Sequence, residues 1–137
     1  MRLIPGSLVF LSCLLAACGD SVTAPNGNVS SGVWGGNAIQ LTVTGNGATL
    51  EHDCDSGRID QPLVADRGGQ FSSDGTYSFG HGGPRQPGEP NAKIYTARYS
   101  GTVTGSTMRL SVFLPELSRS IGDFTLQLGR SNLEKCL

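Results

Sequence analysis

The chain has 137 residues, with 10 Lys and Arg, 11 Asp and Glu, and a formal net charge of −1 at pH 7. This length supports one domain with a modest hydrophobic core. Because no basic patch stands out, the composition excludes nucleic acid from the partners that we expect.

The first segment is typical of a secretory signal peptide. Met1-Arg2 supplies a positive charge, and Leu8 to Ala17 is an uncharged, mostly apolar run. A membrane-spanning helix needs about 20 such residues, so this run is too short to span. A basic start, an apolar middle and small residues before a cleavage site predict a signal over residues 1–17.

The end of this segment, Leu15-Ala16-Ala17-Cys18, resembles the lipobox of bacterial lipoproteins. The resemblance implies cleavage before Cys18, which would carry lipid on its sulfur and begin the mature chain. Stable anchoring takes about two acyl chains, and that class supplies them. Gly19, rather than an aspartate, follows the cysteine, which favours the outer membrane of a bacterial cell envelope. An ordinary signal peptide cut nearby, with an incidental Cys18, is the alternative.

The polar residues 19–31, GDSVTAPNGNVSS, predict a flexible tether over 18–31 and a single β domain over 32–137. Cys13 would leave with the signal and Cys18 would take lipid. Cys54 and Cys136 then remain in an oxidising compartment, and we predict that they form a disulfide. A thiol site is less favoured, because no CxxC or metal-ligand spacing is present.

The domain shows alternation of apolar and polar residues, which is typical of antiparallel strands with one wet face. Turns are predicted at Gly45-Asn46-Gly47, at Asp74-Gly75 and at Gly105-Ser106. We expect residues 80–91 to form a stiffened loop, and PELSRSIG to form a shorter loop with one helical turn. The apolar faces are Ile39, Leu41 and Val43; Tyr77 and Phe79; Tyr95, Ala97, Tyr99 and Val103; Met108, Leu110, Val112 and Leu114; and Phe124, Leu126 and Leu128.

About eight such strands predict an all-β fold, either a small antiparallel up-and-down β-barrel or a β-sandwich. Successive hairpins favour the barrel, because closure removes the exposed sheet edges. A Cys54–Cys136 bond would hold the end of the chain near an early strand.

Two resemblances accompany this prediction. Gly32-Val33-Trp34 is similar to the GxW that opens lipocalins and related barrels, and Arg130 stands where lipocalins place an arginine over that tryptophan. The domain is shorter than a lipocalin and lacks its middle motif and C-terminal helix. Over its whole length it looks more like a group of small bacterial lipoproteins of uncharacterised activity. The stretches that carry this likeness are WGGNAIQLTV, LEHDCDSGRIDQPL, GHGGP and YSGTVTGSTMRLSV.

The lipocalin-like motif implies a small apolar ligand as one candidate partner. The 80–91 loop would then act as a lid over the barrel mouth. A barrel of eight strands is just wide enough to be filled by its own side chains, and this favours an envelope protein as the partner instead. The predicted ligand-lining residues are Trp34, Tyr77, Phe79, Tyr95 and Tyr99.

The two histidines are the remaining candidate site. His52 follows Leu50 by two positions and His81 follows Phe79 by two, so alternation points both toward one barrel mouth. With a carboxylate, for which Asp55 is the candidate, they would form a zinc or copper site. The bland alternative is a pair of hydrogen-bonded histidines at strand ends.

No catalytic residues and no cofactor are predicted. The serines do not occur in GxSxG, and no nucleophile motif accompanies a histidine. We therefore expect a non-enzymatic binding or interaction module, lipid-anchored in the cell envelope.

Overall fold

A computed structural model describes residues 27–134 and Cys136, so the predicted signal and Cys18 lie outside the described residues. Eight antiparallel strands form a closed barrel in sequence order, which confirms the predicted up-and-down barrel. No helix in these residues is long and apolar enough to cross a membrane. The strands are β1 (Gly32–Gly35), β2 (Ile39–Thr44), β3 (Gly47–His52), β4 (Asp55–Ile59), β5 (Gln70–Ser78), β6 (Ile94–Thr104), β7 (Thr107–Leu114) and β8 (Arg119–Leu128), with a 3₁₀ turn at Pro115–Leu117 between the last two.

The barrel has two distinct ends. The connections 36–38, 53–54, 79–93 and 115–118 meet at one of them, which we call the long-loop end. The other is the N-terminal end, because β1 enters the sheet there with Gly32 opposite Val43. The longest connection, 79–93, joins β5 to β6, so it stands over the long-loop end.

Side chains fill the interior of the barrel. Strand alternation points one face of each strand inward, and the largest inward residues include Trp34, Tyr77 and Tyr99, each at most 1% exposed. A void large enough for water would leave accessible surface on its lining. The side chains of Leu41, Met108, Val112, Leu114 and Leu126 are 0% exposed, so they border no such void.

The barrel closes through a short seam between its first and last strands. Only two residue pairs join β1 to β8, Trp34 with Leu128 and Gly35 with Gln127. The chain then turns back over β1, where Gly129 N–H donates to the carbonyl of Val33 at 2.7 Å. Gly35 leaves the room that this return needs, because a Cβ there would clash with the carbonyl of Arg130.

A disulfide extends this closure to the β3–β4 turn. Cys54 and Cys136 form the predicted bond, with their Cα atoms 5.0 Å apart. Between the seam and the disulfide, Ser131 Oγ–H donates to Gln40 Oε1 on the outside of β2 at 2.8 Å. The C-terminal segment therefore crosses the outer face of the first strands before it is covalently tied.

The folded part begins earlier than residue 32, where we predicted the boundary. Asn28 forms a bridge with Val64, and Val29 N–H donates to the carbonyl of Leu63 at 2.8 Å. Val29 is only 3% exposed. An apolar side chain in a polar stretch thus anchors residues 27–30 to the barrel, and burial of that side chain outweighs the loop-like composition around it.

The predicted turn at Asp74-Gly75 is wrong, because β5 runs through both residues from Gln70 to Ser78. Gly75 serves a close approach between strands instead. A Cβ at Gly75 would clash with the carbonyl of Arg58 and would stand 2.9 Å from the Tyr99 ring. The helical turn predicted in PELSRSIG is confirmed at Pro115–Leu117, but β8 begins already at Arg119.

Candidate functional site

Three predicted site residues meet at the long-loop end through the ends of adjacent strands. His52 is the last residue of β3, Asp55 is the first of β4, and Tyr77 stands one residue before the end of β5. The pairing of His52 with Asp55 across the β3–β4 turn brings the first two together. Tyr77 joins them because it pairs with Gly57 of β4, two residues after Asp55.

These three side chains form a hydrogen-bonded chain. Tyr77 Oη donates to Asp55 Oδ2 at 2.7 Å, and His52 Nδ1 lies 3.3 Å from the same hydroxyl. A tyrosine hydroxyl has one proton, and Tyr77 uses it in the hydrogen bond to the Asp55 carboxylate. The hydroxyl oxygen can then only accept, so His52 Nδ1 is the donor of the second bond. His52 Nε2 points away from this bond and lies 4.0 Å from Asp53 Oδ2.

Tyr77 in this chain acts as a hydrogen-bond donor and not as a nucleophile. Burial, together with the hydrogen bond to Asp55 and its negative charge, raises the pKa of the Tyr77 hydroxyl far above the ordinary value of 10.0. Asp55 Oδ1 also accepts a bond from Gly80 N–H at 2.9 Å. Both carboxylate oxygens are thus committed to protein donors, one of which fixes the start of the 80–91 loop.

An aromatic row continues from Tyr77 toward the solvent. The ring of Phe79 packs edge-on against Tyr77, with centroids 5.3 Å apart, and against Tyr95, with centroids 5.7 Å apart. Lys93 Nζ lies 4.7 Å from the Tyr95 ring centre, and the guanidinium of Arg119 lies 5.1 Å from that of Phe79. The aromatic row at the barrel mouth therefore has a cation over the ring faces of Tyr95 and Phe79.

His81 lies apart from this chain, in the 80–91 loop. Because β5 ends at Ser78, the alternation that predicted an inward His81 does not extend to it, and its side chain is 53% exposed. Its Nε2 pairs with Glu89 and its Nδ1 is 2.9 Å from the carbonyl of Gly82. The Gly82 carbonyl, and then Glu89, raise the pKa of His81 above 6.5.

Further hydrogen bonds give the loop a defined shape. Gln86 N–H donates to Glu89 Oε2 at 2.8 Å, and this bond, followed by that of His81, lowers the pKa of Glu89. Arg85 donates to the carbonyl of Pro90 at 3.0 Å. An open depression of about 280 Å³ lies under these residues, beside Phe79.

The two histidines therefore have separate partners and share no carboxylate. His52 Nδ1 faces Tyr77, and the His52 ring packs edge-on against Phe124 with centroids 5.0 Å apart. Within residues 27–134 and Cys136, no group of three or more His, Cys, Asp and Glu side chains is placed to hold a metal ion. The geometry matches histidines that are hydrogen-bonded near strand ends.

The five predicted ligand-lining residues divide into two groups. Trp34 and Tyr99 are 0% exposed, and their polar atoms are satisfied, Trp34 Nε1 by Ser30 O at 3.0 Å and Tyr99 Oη by Thr76 O at 2.6 Å. Burial raises the pKa of Tyr99. These two, with Tyr77, are core residues, whereas Phe79 and Tyr95 are half-buried at the mouth. Arg130 is exposed, and its backbone is the part that packs on β1, at Gly35.

An exposed apolar group at the same end was missed by sequence reasoning. Ile94, Phe113 and Leu117 are 66%, 42% and 43% exposed. Phe113 lies between the inward residues Val112 and Leu114, so alternation along β7 places it on the outer face of the barrel. The available signal was the alternation itself, which leaves the large apolar residues Ile94 and Phe113 at outward positions of β6 and β7.

Comparison with known proteins does not indicate a function. The chain matches no protein-family model, no curated protein and no solved structure. The features that bear on function are the packing of the barrel and the side chains on its surface.

Proposed function

We propose that this protein is a lipid-anchored module of the bacterial cell envelope that binds another protein through the outside of its barrel, without catalysis. The observation that carries the proposal is the packed interior. Seven large side chains, among them Trp34 and Tyr99, have 0% of their surface exposed. Since a filled barrel has no internal site, recognition falls to the outer faces and loops.

The same packing weighs against the lipocalin-like alternative. An apolar ligand inside the barrel would have to displace Tyr77, Tyr99 or Trp34, and the hydroxyls of both tyrosines hold hydrogen bonds to Asp55 and Thr76. Leaving such buried groups unpaired costs about 1–3 kcal/mol each. The open depression beside Phe79 remains as the place where a small ligand would fit without unfolding the core.

An anchor at Cys18 would orient the barrel on its membrane. Gly27, nine positions after Cys18, pairs with Ala65 at the N-terminal end of the barrel. Nine residues span at most about 30 Å when extended. In this proposal the long-loop end points away from the lipid and is presented to other components of the envelope.

The anchor is tested in the full chain with the Cys18→Ser substitution. We expect the wild-type protein to fractionate with membranes and to carry acyl mass on its N-terminal peptide, and the variant to lose both. Cys13→Ser is the matched control, because it removes a cysteine from the predicted signal alone. A Cys18→Ser protein that still fractionates with membranes contradicts the anchor.

Binding is tested by native mass spectrometry of the full protein, purified gently from its own envelope in detergent. A stoichiometric protein partner that separates on denaturation is the expected result. A retained small apolar molecule would instead support the carrier alternative, and a protein free of any partner would contradict the proposal.

A further inference from the structure

Three of the four large apolar side chains that stand exposed in residues 27–134 lie at the long-loop end. They are Ile94, Phe113 and Leu117, which we call the apolar patch; the fourth, Val64, lies near the N-terminal end. Scattered single exposures need no explanation, whereas a group of them at one end marks an interaction site.

The register of β6 and β7 places Ile94 and Phe113 on the same outer face of the sheet, with Phe113 four positions further along than Ile94. Ile94, Thr96 and Arg98 share the outer face of β6, and Arg98 stands opposite Phe113 on β7. Glu116, the neighbour of Leu117, accepts a bond from Thr96 N–H through Oε1 at 2.8 Å. The 3₁₀ turn is therefore held against the start of β6, which places Leu117 near Ile94.

Basic side chains surround the patch. Lys93 precedes Ile94, Arg119 follows Leu117 by two positions, and Arg98 faces Phe113. Among the described residues Lys93 and Arg119 make no ion pair and rest over aromatic rings instead. The ion pair of Arg98 with exposed Asp74, at 3.4 Å, is solvated and weak.

We propose that the apolar patch and its three cations bind a segment of another envelope protein that carries apolar side chains interspersed with carboxylates. Charge complementarity selects this occupant, since three cations surround the patch and Glu116 is the carboxylate that acts on Lys93, without a direct ion pair to it among the described residues. The inference rests on the proposed function, because it names the surface and the partner class of that binding.

The position of the patch argues against lipid as its occupant. The described chain begins at Gly27, near the N-terminal end, and the patch lies at the opposite end of the barrel. In a barrel anchored through the residues before Gly27, the patch lies at the end farther from the point of attachment.

The experiment is site-specific photo-crosslinking of the full chain in its native cells. The photoreactive residue p-benzoylphenylalanine replaces Phe113 in one protein and Ile94 in another; both positions are exposed, so folding tolerates the change. Thr49, exposed on the outer face of β3, is the control position. We expect both patch positions to give an adduct with one protein, in a segment that contains apolar residues and carboxylates.

Charge dependence is measured on the same adduct. Lys93→Glu combined with Arg119→Glu should lower its yield roughly tenfold, because like charges then oppose each other. Arg58→Glu combined with Arg67→Glu makes the same change in net charge away from the patch, and the yield should be retained. Equal losses in both double variants would overturn the proposal.

Other outcomes separate this inference from the proposed function. Adducts with lipid alone, or with a second copy of the chain, at Phe113 and Ile94 overturn the acidic-segment partner. A protein adduct at Thr49 with none at the patch overturns the surface but leaves the proposed function standing. Absence of protein adducts at all three positions contradicts both.

Discussion

At the residue scale, the hydroxyl of Tyr77 is the most consequential polar group of the barrel mouth. It donates to Asp55 and lies within hydrogen-bond distance of His52. Tyr77→Phe should lower the free energy of unfolding by about 1–3 kcal/mol, because partly buried polar atoms lose their partner. Urea denaturation measures this loss.

Tyr95→Phe is the matched control for that substitution. Tyr95 occupies the same aromatic row, but its hydroxyl makes no hydrogen bond to the described residues, and its side chain contacts Phe79 and Lys93 through the ring. The free energy of unfolding of Tyr95→Phe should lie within about 0.5 kcal/mol of the wild-type value. Equal destabilisation by the two substitutions would show that the Tyr77 hydrogen bonds contribute nothing.

The pairing of His81 with Glu89 makes the shape of the 80–91 loop depend on pH. The pKa of His81 is raised in the fold, so its contribution is fully present below about pH 6.5 and is lost as pH rises through the raised pKa. The pKa of Glu89 is lowered, so its contribution disappears as pH falls through that lowered pKa. The loop should be most ordered between these two titrations.

A titration of the His81 imidazole by NMR checks this expectation. Glu89→Gln should lower the pKa of His81 but leave part of the upward shift, because the Gly82 carbonyl still accepts from the ring. Asp123→Asn on β8 serves as the control and should not move the titration. A His81 pKa that Glu89→Gln leaves unchanged would exclude the pair in solution.

At the element scale, β5 shows how a close strand contact overrides a local turn signal. Gly75→Ala would force a Cβ against the carbonyl of Arg58 and the ring of Tyr99, and should cost about 1–3 kcal/mol. Gly45 has nothing within 4 Å of its Cβ position, so Gly45→Ala should be nearly neutral. Thermal unfolding of both variants measures the difference. Equal losses of stability in the two variants would argue against the close contact at Gly75.

The disulfide holds the C-terminal segment against the first strands, so we expect it to stabilise the closed barrel. Replacing Cys54 and Cys136 together by serine should cost about 4 kcal/mol in the chain-entropy view, since the bond closes a loop of 82 residues. Amides of β1 should also exchange faster with solvent, because the returning chain at Gly129 and Ser131 covers that strand.

Ser131→Ala is the control for that exchange experiment. It removes only the hydrogen bond to Gln40 and keeps the covalent tie. If β1 exchanges equally in wild type and in the double serine variant, the disulfide does not stabilise the seam, whatever its effect on global stability.

The element scale also shows which parts of the fold the sequence could specify. Alternation predicted the wet and dry faces of β2, β6 and β7, because one buried face per strand requires a period of two. It could not predict that β5 stops before His81, since strand ends depend on pairing partners distant in sequence. Nor could it locate the irregularity in the β7–β8 register, where Ile121 has no partner on β7.

At the scale of the whole molecule, strand order brings several of the candidate side chains to one end of the barrel, but the sequence did not predict their contacts. The mouth does gather His52, Asp55, Tyr77, Phe79 and Tyr95, because successive hairpins return these strand ends to one side. The hydrogen bond from Tyr77 to Asp55 depends on the register between β4 and β5, and this register is defined only by the paired strands of the sheet.

The packed interior gives a whole-molecule prediction through Trp34, the single tryptophan. Because Trp34 is 0% exposed, acrylamide should quench its fluorescence weakly in the native protein and strongly in urea. A brominated fatty acid should likewise leave the native emission unchanged. Quenching of the native protein by the fatty acid would place an apolar ligand inside the barrel.

The two-pair seam between β1 and β8 has a consequence for folding. All the remaining strand pairs of the barrel join strands that are consecutive in sequence. These hairpins can therefore form in order as the chain emerges, at low entropic cost. The seam instead joins residues about 94 positions apart, Trp34 and Leu128, and can close only after β8 is available. Until then β1 and β8 present open edges to other chains. The risk of aggregation through these edges therefore lasts until the seam closes.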